Sequence, residues 1–213
     1  MRELFNPFSP VMRFIATIGQ ACFLGILWLI TSLPVITAGA STVALYTVML
    51  RLVKNEEGAI VSSYFSAFKD GFKQATAVWL ILLTAGIFLS VDAYVLSRMW
   101  SVNAFWALVS AVFIAVLIVY LMITLYIYPL MAVFENTIKM MFVNSLFTAL
   151  RYLFCTILMA AVVFIAVFIT VFVFTPFFLV AQGLIAFVHA YLLQGVFHAL
   201  MPQDQEAKED VPD

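Results

Sequence analysis

Charge is what this sequence has least of: only 10% of its 213 residues are Asp, Glu, Lys or Arg, against 66% hydrophobic ones. With a mean hydropathy of +1.14, the chain has too little polar surface to clothe a water-soluble globule, so lipid must solvate much of it. Ten cations against eleven anions give a net charge of -1, which leaves no basic excess for a phosphate-binding face and excludes a nucleic-acid partner. Cysteine is scarce too. Cys22 and Cys155 lie far apart in apolar stretches, make neither a CxxC nor a disulfide framework, and read as small buried hydrophobes. No HExxH or GxSxG occurs, and no two carboxylates fall within the apolar stretches. No cofactor, metal site or enzymatic activity is therefore expected.

What is present is apolar length. Uncharged stretches cover residues 14–50, 74–91, 99–134 and 152–203. At ~1.5 Å of rise per residue, a hydrocarbon core of ~30 Å takes about 20 residues. Residues 75–97 and 102–128 supply one span each. The last stretch supplies two, 152–174 and 177–199, because Pro176 lacks an N–H and biases Thr175 away from helical backbone. Pro34 divides the first stretch in the same way, giving a span at 14–33 and a shorter segment, 37–53, which opens on small and hydroxyl residues and either crosses or re-enters. The fold class is all-α: one polytopic transmembrane helix bundle over residues 1–201, with six spans, or five if 37–53 is re-entrant.

Basic residues choose between these, because Lys and Arg collect on the cytoplasmic side of short loops. If 37–53 crosses, then Arg2, Arg13, Arg51, Lys54, Lys69, Lys73, Lys139, Arg151 and Lys208 share that side and only Arg98 lies outside. If it re-enters, the basic loop at 51–73 falls opposite Arg2 and Arg13, and the asymmetry largely disappears. Six spans in a bacterial cytoplasmic membrane, with both termini cytoplasmic, is the resulting expectation. A signal peptide cleaved near Ala38-Gly39-Ala40 is disfavoured, since the apolar run exceeds the ~7–15 residues of an h-region. In this order Trp100 and Trp106 fall toward the outer interface, and Trp79, Tyr126, Tyr128 and Tyr152 toward the inner one. The outer connections are then only a few residues each, too short for an extracellular domain.

The inner side is better furnished. Ile60, Val61, Tyr64, Phe65, Phe68 and Phe72 recur at helical spacing, with Ser62, Ser66, Lys69, Asp70 and Lys73 between them. This pattern predicts an amphipathic interfacial helix on the cytoplasmic leaflet, serving as an anchor, with coupling to a cytoplasmic partner as the alternative. A second inner segment, 129–151, opens at Tyr128-Pro129 and carries Glu135 and Lys139 at i, i+4. Residues 202–213 are acidic without apolar periodicity and read as a disordered tail.

Polar groups within spans mark candidate functional or packing positions. Asp92, ~7–8 Å below the outer end of its helix, either faces a polar interior and binds a cation, proton or hydroxyl, or reaches the interface and pairs structurally, for instance with Arg98. The last span carries Gln182, His189, Gln194 and His198. Gln182 and His189 share a face, whereas His189 and His198 point to nearly opposite sides, which argues for interhelical hydrogen bonds over zinc ligation. Pro34, Thr37, Gly39, Thr42 and Tyr46 belong to a stretch whose small residues permit close helix approach or line a site.

These residues carry a resemblance. Asn6-Pro7, Met12-Arg13-Phe14, the run from Leu33 to Tyr46, Tyr64-Phe65-Ser66-Ala67-Phe68-Lys69 and Phe72-Lys73-Gln74-Ala75 together resemble the YesL-like family of uncharacterised bacterial integral membrane proteins. The centre of the likeness is Leu-Pro-Val-x-Thr-x-Gly-x-x-x-x-Ala-Leu-Tyr, placed just after the first span. The chain departs from the pattern at Gly25-Ile26-Leu27-Trp28, where the family often has Asn, so no role for an amide is carried over. The resemblance implies a polytopic membrane protein without an established activity, associated with carbohydrate-utilisation and sugar-importer systems. The expected function is a non-enzymatic accessory component linked to carbohydrate uptake, whose partners are the lipid bilayer and a carbohydrate transporter. The alternative is a small permease working as a homo-oligomer, with Asp92 and residues 37–42 near a path.

Overall fold

The computed structural model describes residues 10–54, 56, 58–99 and 104–209. Arg2, Asn6-Pro7, Trp100 and the tail beyond Glu209 lie outside them. The described chain is helical: α1 is Pro10–Ser32, α2 Ala38–Val53, α3 Ile60–Asp70, α4 Phe72–Met99, α5 Ala104–Val133, α6 Ile138–Arg151, α7 Leu153–Phe168 and α8 Phe178–Glu209. Six stretches are long and apolar enough to cross a membrane: Phe14–Ser32, Val35–Val53, Phe72–Arg98, Phe105–Val133, Leu153–Val173 and Thr175–Phe197.

The breaks follow local chemistry. After α1, Pro34 leads into a tight turn over Val35–Thr37, where Thr37 Oγ1 donates to Thr31 O at 2.6 Å and Pro34 O at 2.7 Å. The hydroxyl thus meets the Thr31 carbonyl that the broken helix leaves without an N–H, while Pro34 O also accepts from Thr37 N at 2.8 Å. Between α7 and α8 the helix widens over Ile169–Val173 and then tightens over Thr175–Phe177, with Pro176 at the start of the new turn.

Two expected boundaries are corrected. Pro129 does not open a separate segment, because α5 continues through it to Val133. Proline removes one helical N–H, but Tyr126, Ile127, Tyr128 and Leu130 are buried around it, and packing of that density holds a kinked or weakened turn in place. Residues 202–209, expected to be disordered, continue α8 to Glu209. Gln, Glu, Ala and Lys are good helix formers, so a helix leaving the bundle can run on without an apolar face.

The centre of the fold is α2. It packs against α1, α3, α4, α5 and α8, and its residues from Gly39 to Tyr46 are all buried. A helix that is apolar or small all round is what such a position demands. α2 is one continuous helix, so residues 37–53 do not turn back on themselves.

Neighbouring helices approach closely through glycine. A side chain on Gly183 of α8 would strike the carbonyl oxygen of Ala21 on α1, and one on Gly25 would meet the Gly183 backbone at 3.0 Å. The rings of Phe14 and Phe187 lie tilted against each other with centroids 6.0 Å apart. Gly25 beside Gly183 and Phe14 beside Phe187 make α1 and α8 antiparallel, bringing the start of α1 and the end of α8 to one end of the bundle.

One expected depth assignment is corrected. Charge placement sets Val35 at an outer connection and Trp79 at the inner interface, across a core of ~30 Å. In the structure Trp79 Nε1 donates to Val35 O at 2.6 Å, so the two lie at one depth. Gly39 likewise abuts Ala75, and Gly71 abuts Val43. The reason is that α3 and the start of α4 pack back along α2 instead of hanging from its far end. The rest of α4, from Leu80 to Met99, continues ~30 Å beyond the start of α2 and returns through the first half of α5.

Candidate functional site

Two polar side chains of α2, Thr42 and Tyr46, find partners on other helices, whereas Ser41 and Thr47 donate back to Thr37 O and Val43 O. Trp28 Nε1 of α1 donates to Thr42 Oγ1 at 3.0 Å. Tyr46 Oη lies 2.9 Å from His189 Nδ1 of α8, and His189 Nε2 lies 3.1 Å from Met159 O of α7. A carbonyl only accepts, so Nε2 carries the imidazole proton and Nδ1 accepts the Tyr46 hydroxyl. Both ring nitrogens are used, and His189, only 1% exposed, ties α2, α7 and α8 together. Among the described residues no group of three or more His, Cys, Asp or Glu is placed to hold a metal.

Other sequence-predicted residues fall in different settings. Pro34 is exposed, Thr37 and Gln182 are half-buried, and Gly39 presses on Ala75 and Trp79. Asp92 is exposed on the far part of α4. Its side chain is not in a bundle interior, and among the described residues the groove beside that stretch is formed by α4 and α5. In α3 the expected apolar stripe divides: Phe65 is exposed, Phe68 and Phe72 are half-buried with rings 5.5 Å apart, and Lys69 and Lys73 are exposed. Tyr64 leaves the stripe altogether. It is fully buried, and its hydroxyl meets Thr31 Oγ1 at 2.7 Å and donates to Ser41 O at 3.3 Å. Burial pushes that hydroxyl up from its ordinary pKa of 10.0.

Two concave surfaces stand out. A groove of about 670 Å³ runs between the far parts of α4 and α5, lined by Trp79, Gly86, Ser90, Tyr94 and Tyr120 among apolar neighbours. Val91 and Ala93 line it, and Asp92 does not. A second cavity of about 770 Å³ is polar and lies where α2, α3, the start of α4 and the turn from α5 to α6 converge. Thr47, Arg51, Ser63, Asp70, Gln74 and Glu135 contribute to its wall. Gln74 Nε2 donates to Asn136 O at 2.5 Å, clipping the α5–α6 turn onto α4.

Sequence reading did not group these six residues. Arg51 reads as a basic charge at the end of a span, Asp70 as part of an amphipathic helix and Glu135 as the helical partner of Lys139, and nothing in their spacing sets them round one space. The fold brings them together by laying α3 back along α2.

A bundle of six membrane-length helices, the second of them buried at its centre, with a polar cavity at its side, defines a polytopic α-helical membrane protein. Residues 22–93, from the middle of α1 to the far part of α4, match a family described as "Protein of unknown function, DUF624". The chain is also similar to the "Uncharacterized protein YesL" of Bacillus subtilis (strain 168), at 26% identity over 153 residues, covering 70% of this chain and 71% of that one. No solved structure matches. Both likenesses agree with the resemblance that the Leu33-to-Tyr46 motif carries. In physical terms that motif is the helix break at Pro34, the hydroxyl clamp at Thr37, the close approach at Gly39 and the interhelical bond of Tyr46.

Proposed function

We propose that the protein is a non-enzymatic accessory component of a membrane assembly for carbohydrate uptake or utilisation, residing in the cytoplasmic membrane with both ends in the cytoplasm. The observation that carries this reading is the filled centre. From Gly39 to Tyr46, α2 is packed on all sides, and the polar cavity sits beside its later half, against α3 and the α5–α6 turn. A protein built this way offers a surface to a partner more readily than a path along its axis. The common end shared by the start of α1 and the end of α8 supports termini on one side, and the basic residues favour the cytoplasm as that side. The carbohydrate link rests on the resemblance to YesL-like proteins.

In this reading Val61, Phe65 and Lys69 of α3 and Lys73 of α4, all exposed, form a surface for lipid or a partner, while α3 itself lies along α2 instead of flat on the leaflet. Copurification with a carbohydrate transporter in native detergent extracts is the expected result. A small oligomeric permease is the second reading, favoured by the size and polarity of the cavity. Liposomes containing only this protein distinguish the two: no flux of sugars or ions is expected, and saturable flux would replace the accessory reading with the permease.

A further inference from the structure

Arg51, Asp70 and Glu135 reach the same cavity from three places: the last turn of α2, the end of α3 and the turn after α5. Among the described residues none of the three forms an ion pair, and Asp70 Oδ2 accepts one hydrogen bond, from Ser66 Oγ at 3.1 Å. A guanidinium and two carboxylates thus share a space without closing on one another. At about 770 Å³, that space falls within the roughly 300–1,000 Å³ of small-molecule sites.

The remaining wall sharpens the chemistry. Met131, Ala132 and Val133, the last turn of α5, line the cavity, and the carbonyl end of a helix carries partial negative charge. Thr47 Oγ1 already donates to Val43 O at 2.9 Å, and the Gln74 amide is engaged on Asn136. Acceptors therefore dominate one part of the cavity, and Arg51 is the cation in its wall.

We propose that this cavity binds a zwitterion, with a primary ammonium held by Asp70 and Glu135 near the end of α5 and a phosphate or carboxylate held by Arg51. An ammonium offers three N–H donors, matching two carboxylates and a helix end. Guanidinium suits the anionic group because its fork of donors matches two oxygens at once. A quaternary ammonium has no N–H and forfeits the first half of the match. The zwitterion can come from solution, as phosphoethanolamine or an amino acid, or from the ethanolamine headgroup of a lipid. This inference does not rest on the accessory reading.

Full-length protein in phosphatidylcholine nanodiscs is titrated with phosphoethanolamine, glycine, phosphocholine and inorganic phosphate while Tm is followed. In parallel, native mass spectrometry reads which lipid remains bound after release from discs of equal phosphatidylethanolamine and phosphatidylcholine. A saturable rise of Tm with phosphoethanolamine or glycine, at least about tenfold weaker with phosphocholine, as loss of a charge-assisted hydrogen bond implies, assigns a free zwitterion. Selective retention of phosphatidylethanolamine assigns the lipid. In either case the response should vanish in Asp70→Asn/Glu135→Gln and in Arg51→Gln. All three positions are exposed, so these variants should keep the wild-type melting profile without ligand. The proposal fails if neither arm responds, if phosphocholine works as well as phosphoethanolamine, or if the folded variants respond like wild type.

Discussion

The packed region around α2 and the far hairpin of α4 and α5 are both apolar enough to cross a membrane but are held by different means. Around α2, polar groups bridge helices: Trp28 to Thr42, Tyr46 to His189, Tyr64 to Thr31, Tyr126 to Thr156. In the hairpin one such bridge, Tyr120 Oη to Leu82 O at 3.1 Å, stands near its base, while Thr84, Ser90 and Ser110 donate back to Leu80, Gly86 and Trp106 of their own helices. Phe88, Phe105 and Leu108 there are all more than half exposed. Lipid is as apolar as leucine, so exposed apolar side chains cost nothing in a bilayer and do not pull helices together. Small residues and polar bridges decide what packs.

The largest test of that contrast is Gly183→Leu. Its side chain must displace the α1 backbone at Ala21, and the expected loss exceeds about 4 kcal/mol, seen as absence of a monodisperse species in detergent. Gly195→Ala, with nothing within 4 Å of the added methyl, should be neutral or stabilise by up to about 1 kcal/mol. Equal effects at the two positions would break the comparison.

Next in size is the Tyr46–His189 bond. Tyr46→Phe leaves Nδ1 without a donor, and His189→Ala also opens a cavity and frees Met159 O. Each should lose about 1–3 kcal/mol, read from thermal unfolding in detergent. A double-mutant cycle should show coupling of at least about 0.5 kcal/mol, and none would mean that the two side chains do not meet.

Much of this fold was legible in the sequence, for reasons that differ by element. Pro34 and Pro176 announced the two breaks because proline acts locally. The membrane-length runs needed only counting. Trp79 was misplaced because its depth was inferred from charge order, and charge order is blind to α3 folding back along α2. Tyr64 was misassigned for a related reason: helical spacing places it on the apolar stripe with Phe65 and Phe68, but cannot say that Thr31 and Ser41 supply its hydroxyl with partners. His189 reads as a hydrogen-bonding residue from its place in a span, but its partner, Tyr46, lies 143 positions away and no local pattern links them. The cavity around Arg51, Asp70 and Glu135 stayed hidden because three tertiary contacts create it.

A smaller effect tests the boundary between the two regions. Trp79→Phe keeps the ring packing but removes the donor to Val35 O, for an expected loss of about 1 kcal/mol. Single cysteines at Val35 and Trp79 should also show the same accessibility to an impermeant reagent. Labelling from opposite faces would restore the charge-based depths and undo the pairing of α2 with α4.

The smallest expected effect lies in the hairpin itself. Phe88 is 67% exposed, and its replacement by alanine in a water-soluble core would cost about 3–5 kcal/mol. Here micelle or lipid already covers the ring, so Phe88→Ala should change the stability of the solubilised monomer by less than about 0.5 kcal/mol. A loss above about 2 kcal/mol in the monomer would mean that the hairpin is packed as tightly as the α2 region. If wild-type Tm instead rises with protein concentration and Phe88→Ala removes that dependence, a second copy of the chain covers the ring, since association stabilises by mass action. The contrast between the regions would then be one between intramolecular and intermolecular packing.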